Sequence, residues 1–281
     1  MIKVSKIPYL VLAIMLAQSS TAQAREGEFT DAVKAYRSEN YETAIKIFRK
    51  LAKEGDARSQ FNLGVIYENG HGVPKNPSEA FNSYKKAAER ELVEAENALG
   101  NIYYQGSATT KDDKLAMKYY QRAADKGYAK AQFSLGLMYY GARPESRNLL
   151  ESAMWFKKAA DQNYVPAQYN LGVLYEIEQD LQQPIDAAQK LYMQAAEQRH
   201  SGAMINLAKI HLTGKSEIPK DHVQALMWAK LAMTLAKTED ERISNLGIAN
   251  TIKSRMNEKK VNEAVQSVRA YCKKKDLPNC E

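Results

Sequence analysis

The chain carries short apolar stripes at helical spacing, separated by polar turns. In residues 60–70, QFNLGVIYENG, the apolar residues Leu63, Ile66 and Tyr67 recur at i, i+3 and i+4, which predicts one face of an α-helix. Gly64 lies in the middle of that face, where glycine destabilises a helix by about 1 kcal/mol relative to alanine. A glycine at such a position indicates a close contact with a neighbouring helix.

This glycine belongs to a pattern that recurs every 36 residues, four times in succession without a shift. Each copy has a leucine, then a glycine, and a tyrosine four residues after the leucine; the fifth copy has alanine for glycine and His211 for tyrosine. We expect these positions to be contact points where a small residue lets two backbones approach closely. The predicted packing positions are Leu63, Gly64, Tyr67, Leu99, Gly100, Tyr103, Leu135, Gly136, Tyr139, Leu171, Gly172, Tyr175, Leu207 and Ala208.

A second amphipathic helix precedes each of these helices. Its apolar stripe is first formed by Ala44, Ile47, Phe48, Leu51 and Ala52, and later units repeat it. Each unit is therefore a helix A and a helix B joined by a short turn, and such a pair buries its stripe only by stacking on its neighbours. We predict an all-α fold, a right-handed α/α solenoid of about five to six 36-residue helix-turn-helix repeats with a C-terminal helical cap.

The helix boundaries recur at the same spacing. Side chains that can cap free backbone N–H groups stand just before helix A, at Asn40, Asn76, Asp112 and Asn148, and later at Asp221. One position just after helix A recurs every 36 residues, and it is occupied in turn by Gly55, Glu91, Gly127, Asn163 and Arg199. Glycine and asparagine suit the left-handed conformation that ends many helices, whereas glutamate and arginine suit it poorly.

Two stretches show the repeat most fully, AMKYYQRAADKGYAKAQFSLGLMYYG at 116–141 and SYKKAAERELVEAENALGNIYYQG at 83–106. At these residues the chain resembles the Sel1-like repeat family, which is related to tetratricopeptide repeats. The resemblance covers about residues 40–236. It implies an extended surface that binds other proteins without catalysis, in roles such as assembling envelope complexes, regulating a membrane receptor or promoting host interaction.

The two ends of the chain differ from the repeats. Residues 1–24 combine an early positive region, the apolar run YLVLAIMLA and small residues at the end, which indicates a signal peptide cleaved after Ala24. An uncleaved membrane anchor is the alternative, but the run has about half of the ~20 residues needed to span a bilayer. We therefore expect no stable membrane span after cleavage. Residues 25–39 predict an N-terminal capping helix, 40–236 the repeats and 237–281 a C-terminal helical cap.

Charge and cysteine usage agree with export to the periplasm or out of the cell. Loss of Lys3 and Lys6 with the signal peptide lowers the formal net charge from +7 to +5, which is too small an excess to indicate nucleic acid as a partner. Cys272 and Cys280 lie in the last ten residues, and in an oxidising compartment such a pair favours one disulfide. Closing so short a loop stabilises the fold by about 2.5 kcal/mol in the loop-entropy model.

Basic residues recur on helix A and form a predicted basic row. The row consists of Lys46, Lys50, Lys86, Lys118, Arg122, Lys158 and Lys190. Acidic residues at Glu89, Asp125 and Asp161 are placed for i, i+3 pairing, in which case the row is a solvated surface of weak ion pairs. The functional interpretation is a docking strip for another protein of the cell envelope, an extracellular host protein or an anionic envelope polymer.

Signals for catalysis are weak. Ser83 and Lys86 in SYKK match the Ser-x-x-Lys pattern of penicillin-recognising enzymes, but no Lys-Thr-Gly follows. The histidines form no i, i+4 pair with a third ligand, although His200 could approach His211 across a turn. We predict a non-enzymatic adaptor or regulator with no catalytic residue, metal or cofactor. The other interpretations are a structural component of an envelope machine, such as a flagellar motor ring, and a β-lactam-binding or hydrolysing enzyme.

Overall fold

The repeats form a succession of short helices. A computed structural model describes five ranges of the chain, with side chains from Ala22 onward: 9–141, 147–178, 181–182, 184–215 and 218–277. These residues contain fourteen α-helices and, apart from one isolated bridge between Lys215 and Ile218, no strand pairing. The chain divides into two compact units, Met1–Tyr128 and Ala129–Glu281.

From α1 to α6 in the first unit, and from α7 to α13 in the second, each helix packs on the next in chain order, and α14 packs on α12. The first unit contains α1 (Tyr9–Arg37), α2 (Tyr41–Lys53), α3 (Ala57–Asn69), α4 (Pro77–Glu89), α5 (Val93–Gln105) and α6 (Asp113–Asp125). The second contains α7 (Ala129–Gly141), α8 (Leu149–Ala160), α9 (Val165–Ile177), α10 (Ile185–Glu197), α11 (Ser201–Thr213), α12 (His222–Thr234), α13 (Glu239–Lys253) and α14 (Glu258–Lys275). Helices A are α2, α4, α6, α8, α10 and α12, which confirms the all-α helical-repeat prediction.

The repeat glycines receive an aromatic ring from the following helix A. A Cβ placed on Gly64 would lie 2.5 Å from a ring carbon of Tyr84, and one on Gly172 would lie 2.7 Å from Tyr192. The predicted close contact is therefore present, but a side-chain ring rather than a second backbone fills the space that the glycine leaves. We call these pairs the glycine–aromatic seam: Gly64–Tyr84, Gly100–Tyr120, Gly136–Phe156 and Gly172–Tyr192.

The tyrosines of the seam keep a hydrogen-bond partner for their hydroxyl groups. Tyr84 Oη donates to Glu68 Oε2 at 2.7 Å, and Tyr192 Oη donates to Glu176 Oε2 at 2.7 Å. Burial first, and then the neighbouring carboxylate, raises the pKa of both phenols well above the ordinary value for tyrosine. The seam therefore buries a ring without leaving its polar end unpaired.

The predicted caps form. The side chains of Asn40, Asn76, Asp112, Asn148 and Asp221 each accept a hydrogen bond from a backbone N–H in the first turn of helix A. Glu91 and Arg199 nevertheless adopt the left-handed conformation, with φ of 63° and 67°. Glu91 and Arg199, like Asn163 with φ of 61°, therefore take the backbone conformation that Gly55 and Gly127 have after α2 and α6, at the cost of local strain.

The ends of the chain cover the outermost repeats of their own units. Helix α1 runs without a break across Ala24, and its Phe29 packs edge-on against Phe48 with ring centroids 5.9 Å apart. At the other end, Cys272 is buried on α14, whereas Cys280 lies outside the described residues, so the disulfide stays a prediction. Among the helices described, none combines the length and the apolar character needed to cross a membrane.

Candidate partner-binding surface

All seven residues of the basic row are exposed on helices A, but the groups around them differ. In the first unit Lys50 is engaged by α1, since its Nζ lies 2.6 Å and 2.7 Å from the two carboxylate oxygens of Glu28. Lys46, Lys86 and Lys118 form no ion pair with any described residue. Positions that repeat in the sequence are therefore not equivalent in the fold.

Arg122 has a structural partner. Its Nη2 lies 2.8 Å from Oε1 of Glu96, a fully buried carboxylate on α5, and Lys126 Nζ lies 3.2 Å from the same oxygen. A carboxylate removed from water is stable only when cations or hydrogen bonds replace its hydration. Arg122 therefore serves the fold of the first unit.

Glu96 belongs to a buried polar position that the sequence reasoning missed. It lies three residues before a repeat leucine, and the equivalent residues are Gln60, Gln132 and Gln168, all largely buried. In the second unit Gln132 Oε1 accepts from Gln162 at 2.7 Å and Gln168 Oε1 accepts from Gln198 at 3.0 Å. The 36-residue recurrence of these residues was the signal that could have identified them.

The two row residues of the second unit are satisfied within their own helices. Lys158 Nζ lies 3.8 Å from the ring centroid of Trp155, and Lys190 Nζ lies 3.2 Å from Asp186 Oδ2. Asp161 pairs with Lys157 at 2.7 Å, so the predicted pairing of Asp161 with Lys158 is wrong. In this unit the basic row therefore resembles the solvated surface of weak local contacts rather than a docking strip.

The first unit, by contrast, has a basic concave surface along α2. Two adjoining concavities of about 460 and 240 Å³ share Arg49 and Lys53 in their walls. We call this surface the basic groove and define it by its five cations: Lys46, Arg49, Lys50, Lys53 and Lys86. Its remaining wall residues include apolar, hydroxyl and acidic side chains: Ile45, Val73, Leu63, Tyr67, Ser83, Glu42 and Glu79.

Four of the five groove cations have no acidic partner among the described residues. Arg49 donates a hydrogen bond from Nη2 to the Tyr67 hydroxyl at 3.2 Å, and within the described part of the chain Lys50 is the one groove cation that contacts a carboxylate. Clustered charges of one sign repel each other and destabilise the folded state. A cluster of this kind therefore indicates a surface whose positive charge is balanced by a bound acidic ligand.

Periodicity alone could not identify Arg49 and Lys53 as part of this surface. Their counterparts 36 residues later are Lys85 and Glu89, so the charge at the second position does not recur. The useful signal was instead local, because residues 46, 49, 50 and 53 share one face of a single helix at i, i+3, i+4 and i+7. A search for repeats finds what the repeats share and overlooks what one repeat has alone.

The residues considered for catalysis or metal binding have ordinary surroundings. The His200 ring stacks on Tyr169 at 4.5 Å, its Nδ1 accepts the Ala203 backbone N–H, and burial lowers the pKa of both His200 and His211. Across the described part of the chain no three histidine, cysteine or acidic side chains are grouped to hold a metal ion. Ser83 lies on α4 in the wall of the basic groove, together with Lys86.

Solved structures that resemble the fold include two repeat proteins. One is a protective antigen present in uropathogenic Escherichia coli strains that displays an SLR fold, with a TM-score of 0.68 and 22% identity over 91% of this chain; our chain spans 63% of that protein's length. The other is a Sel1 repeat protein from Oxalobacter formigenes, with a TM-score of 0.68 and 23% identity over 79% of this chain and 99% of that one. At these identities the likeness shows the fold alone.

The family comparison rests on the repeats themselves. No curated protein matches the chain. The Sel1 repeat model matches six successive segments: 31–56, 57–92, 93–128, 129–164, 165–200 and 201–235. The chain therefore belongs to the Sel1 repeat family, whose repeats typically mediate protein–protein interactions and are generally non-catalytic.

Proposed function

We propose that this protein is an exported, non-enzymatic adaptor or regulator that binds another protein in the bacterial cell envelope or outside the cell. The observation that carries the proposal is the set of exposed groove cations that have no acidic partner among the described residues: Lys46, Arg49, Lys53 and Lys86. Arg49 is hydrogen-bonded to the Tyr67 hydroxyl, and no carboxylate of the described residues balances the charge of these four side chains. A surface of this kind binds by shape and charge and needs no reacting group.

Export is supported by the composition of residues 1–24 and by the late cysteine pair. Expression in a bacterial host, cell fractionation and mass determination test this step. We expect the exported protein to begin at Arg25 and to carry one intramolecular disulfide. A protein that stays in the cytoplasm with its first residues intact would remove the envelope from the proposal.

The partner is best sought in intact cells. A C-terminally tagged protein is crosslinked in place and recovered, and the proteins recovered with it are identified. One dominant envelope or extracellular protein, absent from an untagged control, is the expected result. Stoichiometric recovery of a large membrane assembly would instead favour a structural component of an envelope machine, and no protein above background would contradict the adaptor function.

A further inference from the structure

We propose that the basic groove of the first two repeats is a binding site for an extended acidic peptide segment of the partner, an inference that rests on the adaptor function. The groove cations project from two successive helices A, α2 and α4. Its concavities, about 460 and 240 Å³, have the size that a few side chains of a bound segment would fill.

The spacing of the cations suits an extended chain. Lys46 and Lys53 are seven residues apart on α2, or about 10 Å along the helix axis. In an extended segment, side chains on one side recur about every 7 Å. Two or three acidic residues at alternate positions would therefore face the cations of α2, and the segment would continue towards Lys86 on α4.

The chain itself shows that this surface accepts carboxylates. Glu28, on the helix α1 that packs against α2, places both of its carboxylate oxygens on Lys50 Nζ, at 2.6 and 2.7 Å. Close by, Glu26 binds Arg58 in the same manner, and Phe29 lies under the Arg58 guanidinium at 4.1 Å. Glu28 thus already occupies one cation of the basic groove, and its neighbours Glu26 and Phe29 contact Arg58, a cation outside the groove.

The wall of the groove favours a peptide over a densely charged polymer. Glu42 and Glu79 lie among the cations, and Ile45, Leu63 and Val73 add apolar surface. A polymer with an anionic group on every unit would bring like charges against the two acids, which disfavours binding. A peptide with acidic residues only at alternate positions can place neutral or apolar side chains there.

The test uses the full chain and a fluorescein-labelled decapeptide in which Glu and Ser alternate, with binding followed by fluorescence anisotropy. Removal of three groove charges in Arg49→Gln/Lys53→Gln/Lys86→Gln should weaken binding about tenfold or more. The matched control, Arg37→Gln/Lys75→Gln/Lys130→Gln, also removes one arginine and two lysine charges, but from exposed positions outside the groove. It should change the affinity by less than about twofold. Circular dichroism checks that both variants stay helical.

A second variant has an effect of opposite sign. Glu28→Gln frees Lys50 from its internal carboxylate and should tighten peptide binding about two- to fivefold. If Glu28 had only a structural role, Glu28→Gln would weaken peptide binding or leave it unchanged, and either result would contradict the inference.

Several outcomes would overturn the inference. These are the absence of saturable peptide binding, equal weakening in the groove and control variants, and equal binding of a peptide with Gln in place of Glu. Tighter binding of dextran sulfate, equally sensitive to the groove substitutions, would replace the peptide with an anionic polymer. If crosslinking in cells captures the same partner with the wild-type protein and the groove variant alike, the adaptor function stands and this inference fails.

Discussion

Helices α2 and α8 carry the same repeat positions but use them differently. Residues 46, 49, 50 and 53 of α2 are all cations, whereas the equivalent positions are Met154, Lys157 and Lys158 in α8 and Asp161 at its C-cap. In α8 one lysine pairs with the aspartate at 2.7 Å and the other lies over the Trp155 ring. Among these four α2 cations, Lys50 alone contacts an acidic side chain of the described residues. Three of the four α2 cations therefore lack an acidic partner among the described residues, whereas α8 pairs one of its two lysines with its own C-cap and places the other over an aromatic ring.

Beneath these different surfaces the packing is the same in both units. Gly64 receives Tyr84 in the first unit, and Gly136 receives Phe156 in the second, with closest distances of 2.5 and 2.4 Å to a placed Cβ. The seam thus supplies the fold, and the exposed face of helix A distinguishes one repeat from another.

The largest effect should come from the one row residue that serves the fold. In Arg122→Glu the buried Glu96 would lose a cation and face a second carboxylate, so we expect the free energy of unfolding to fall by about 3–5 kcal/mol. Lys86→Glu, at the same repeat position, should cost less than about 1 kcal/mol because Lys86 has no acidic partner among the described residues. Urea denaturation measures both, and equal losses would contradict the distinction.

The next effect concerns the seam. In Gly172→Ala the new methyl group would force the Tyr192 ring to move, which we expect to cost about 1–3 kcal/mol despite the better helix propensity of alanine. Gly247, within α13, has nothing within 4 Å of a placed Cβ, so Gly247→Ala should stabilise the protein by about 0.5–1 kcal/mol. Thermal melts of the two variants should therefore shift in opposite directions. A shift in the same direction would show that the ring does not depend on the glycine.

The seam should also be sensitive to alkali. The folded protein holds the Tyr192 proton more tightly than the unfolded chain does, because its pKa is raised by burial and by Glu176. Its contribution to stability is complete below the pKa of an unfolded tyrosine, about 10, and decreases as the pH rises above that value. Between pH 10 and 11 the wild-type protein should lose about 1 kcal/mol more than Tyr192→Phe. Parallel pH profiles would contradict this expectation.

The sequence predicts the residues that every repeat needs for packing, but it does not predict the contacts that one repeat makes alone. The leucines, glycines and capping residues recur because every repeat must pack on its neighbours, so their positions could be identified from spacing alone. Arg122 and Lys50 occupy the same repeat position, yet Arg122 contacts Glu96 and Lys50 contacts Glu28, and neither acidic residue is part of the recurring pattern of basic residues. Lys53 could not be identified from recurrence because its counterpart is Glu89.

The smallest expected change in stability comes from removing one lysine charge from α2 or from α8. Lys157→Gln removes an i, i+4 ion pair and should cost about 0.3–0.5 kcal/mol. Lys53→Gln removes one of several repelling cations and should be neutral or slightly stabilising, by a few tenths of a kcal/mol. Added salt, which screens both interactions, should bring the two variants closer together. A loss of stability in Lys53→Gln as large as in Lys157→Gln would mean that the α2 charge is compensated after all.

The central claim, that the uncompensated charge of the first two repeats binds the partner, is tested most directly by quantitative crosslinking in intact cells. The tagged wild-type protein is compared with Arg49→Gln/Lys53→Gln/Lys86→Gln and with the matched control Arg37→Gln/Lys75→Gln/Lys130→Gln, at equal protein levels. We predict that recovery of the partner falls about tenfold or more in the groove variant and stays unchanged in the control. Equal recovery of the partner in all three would contradict the claim.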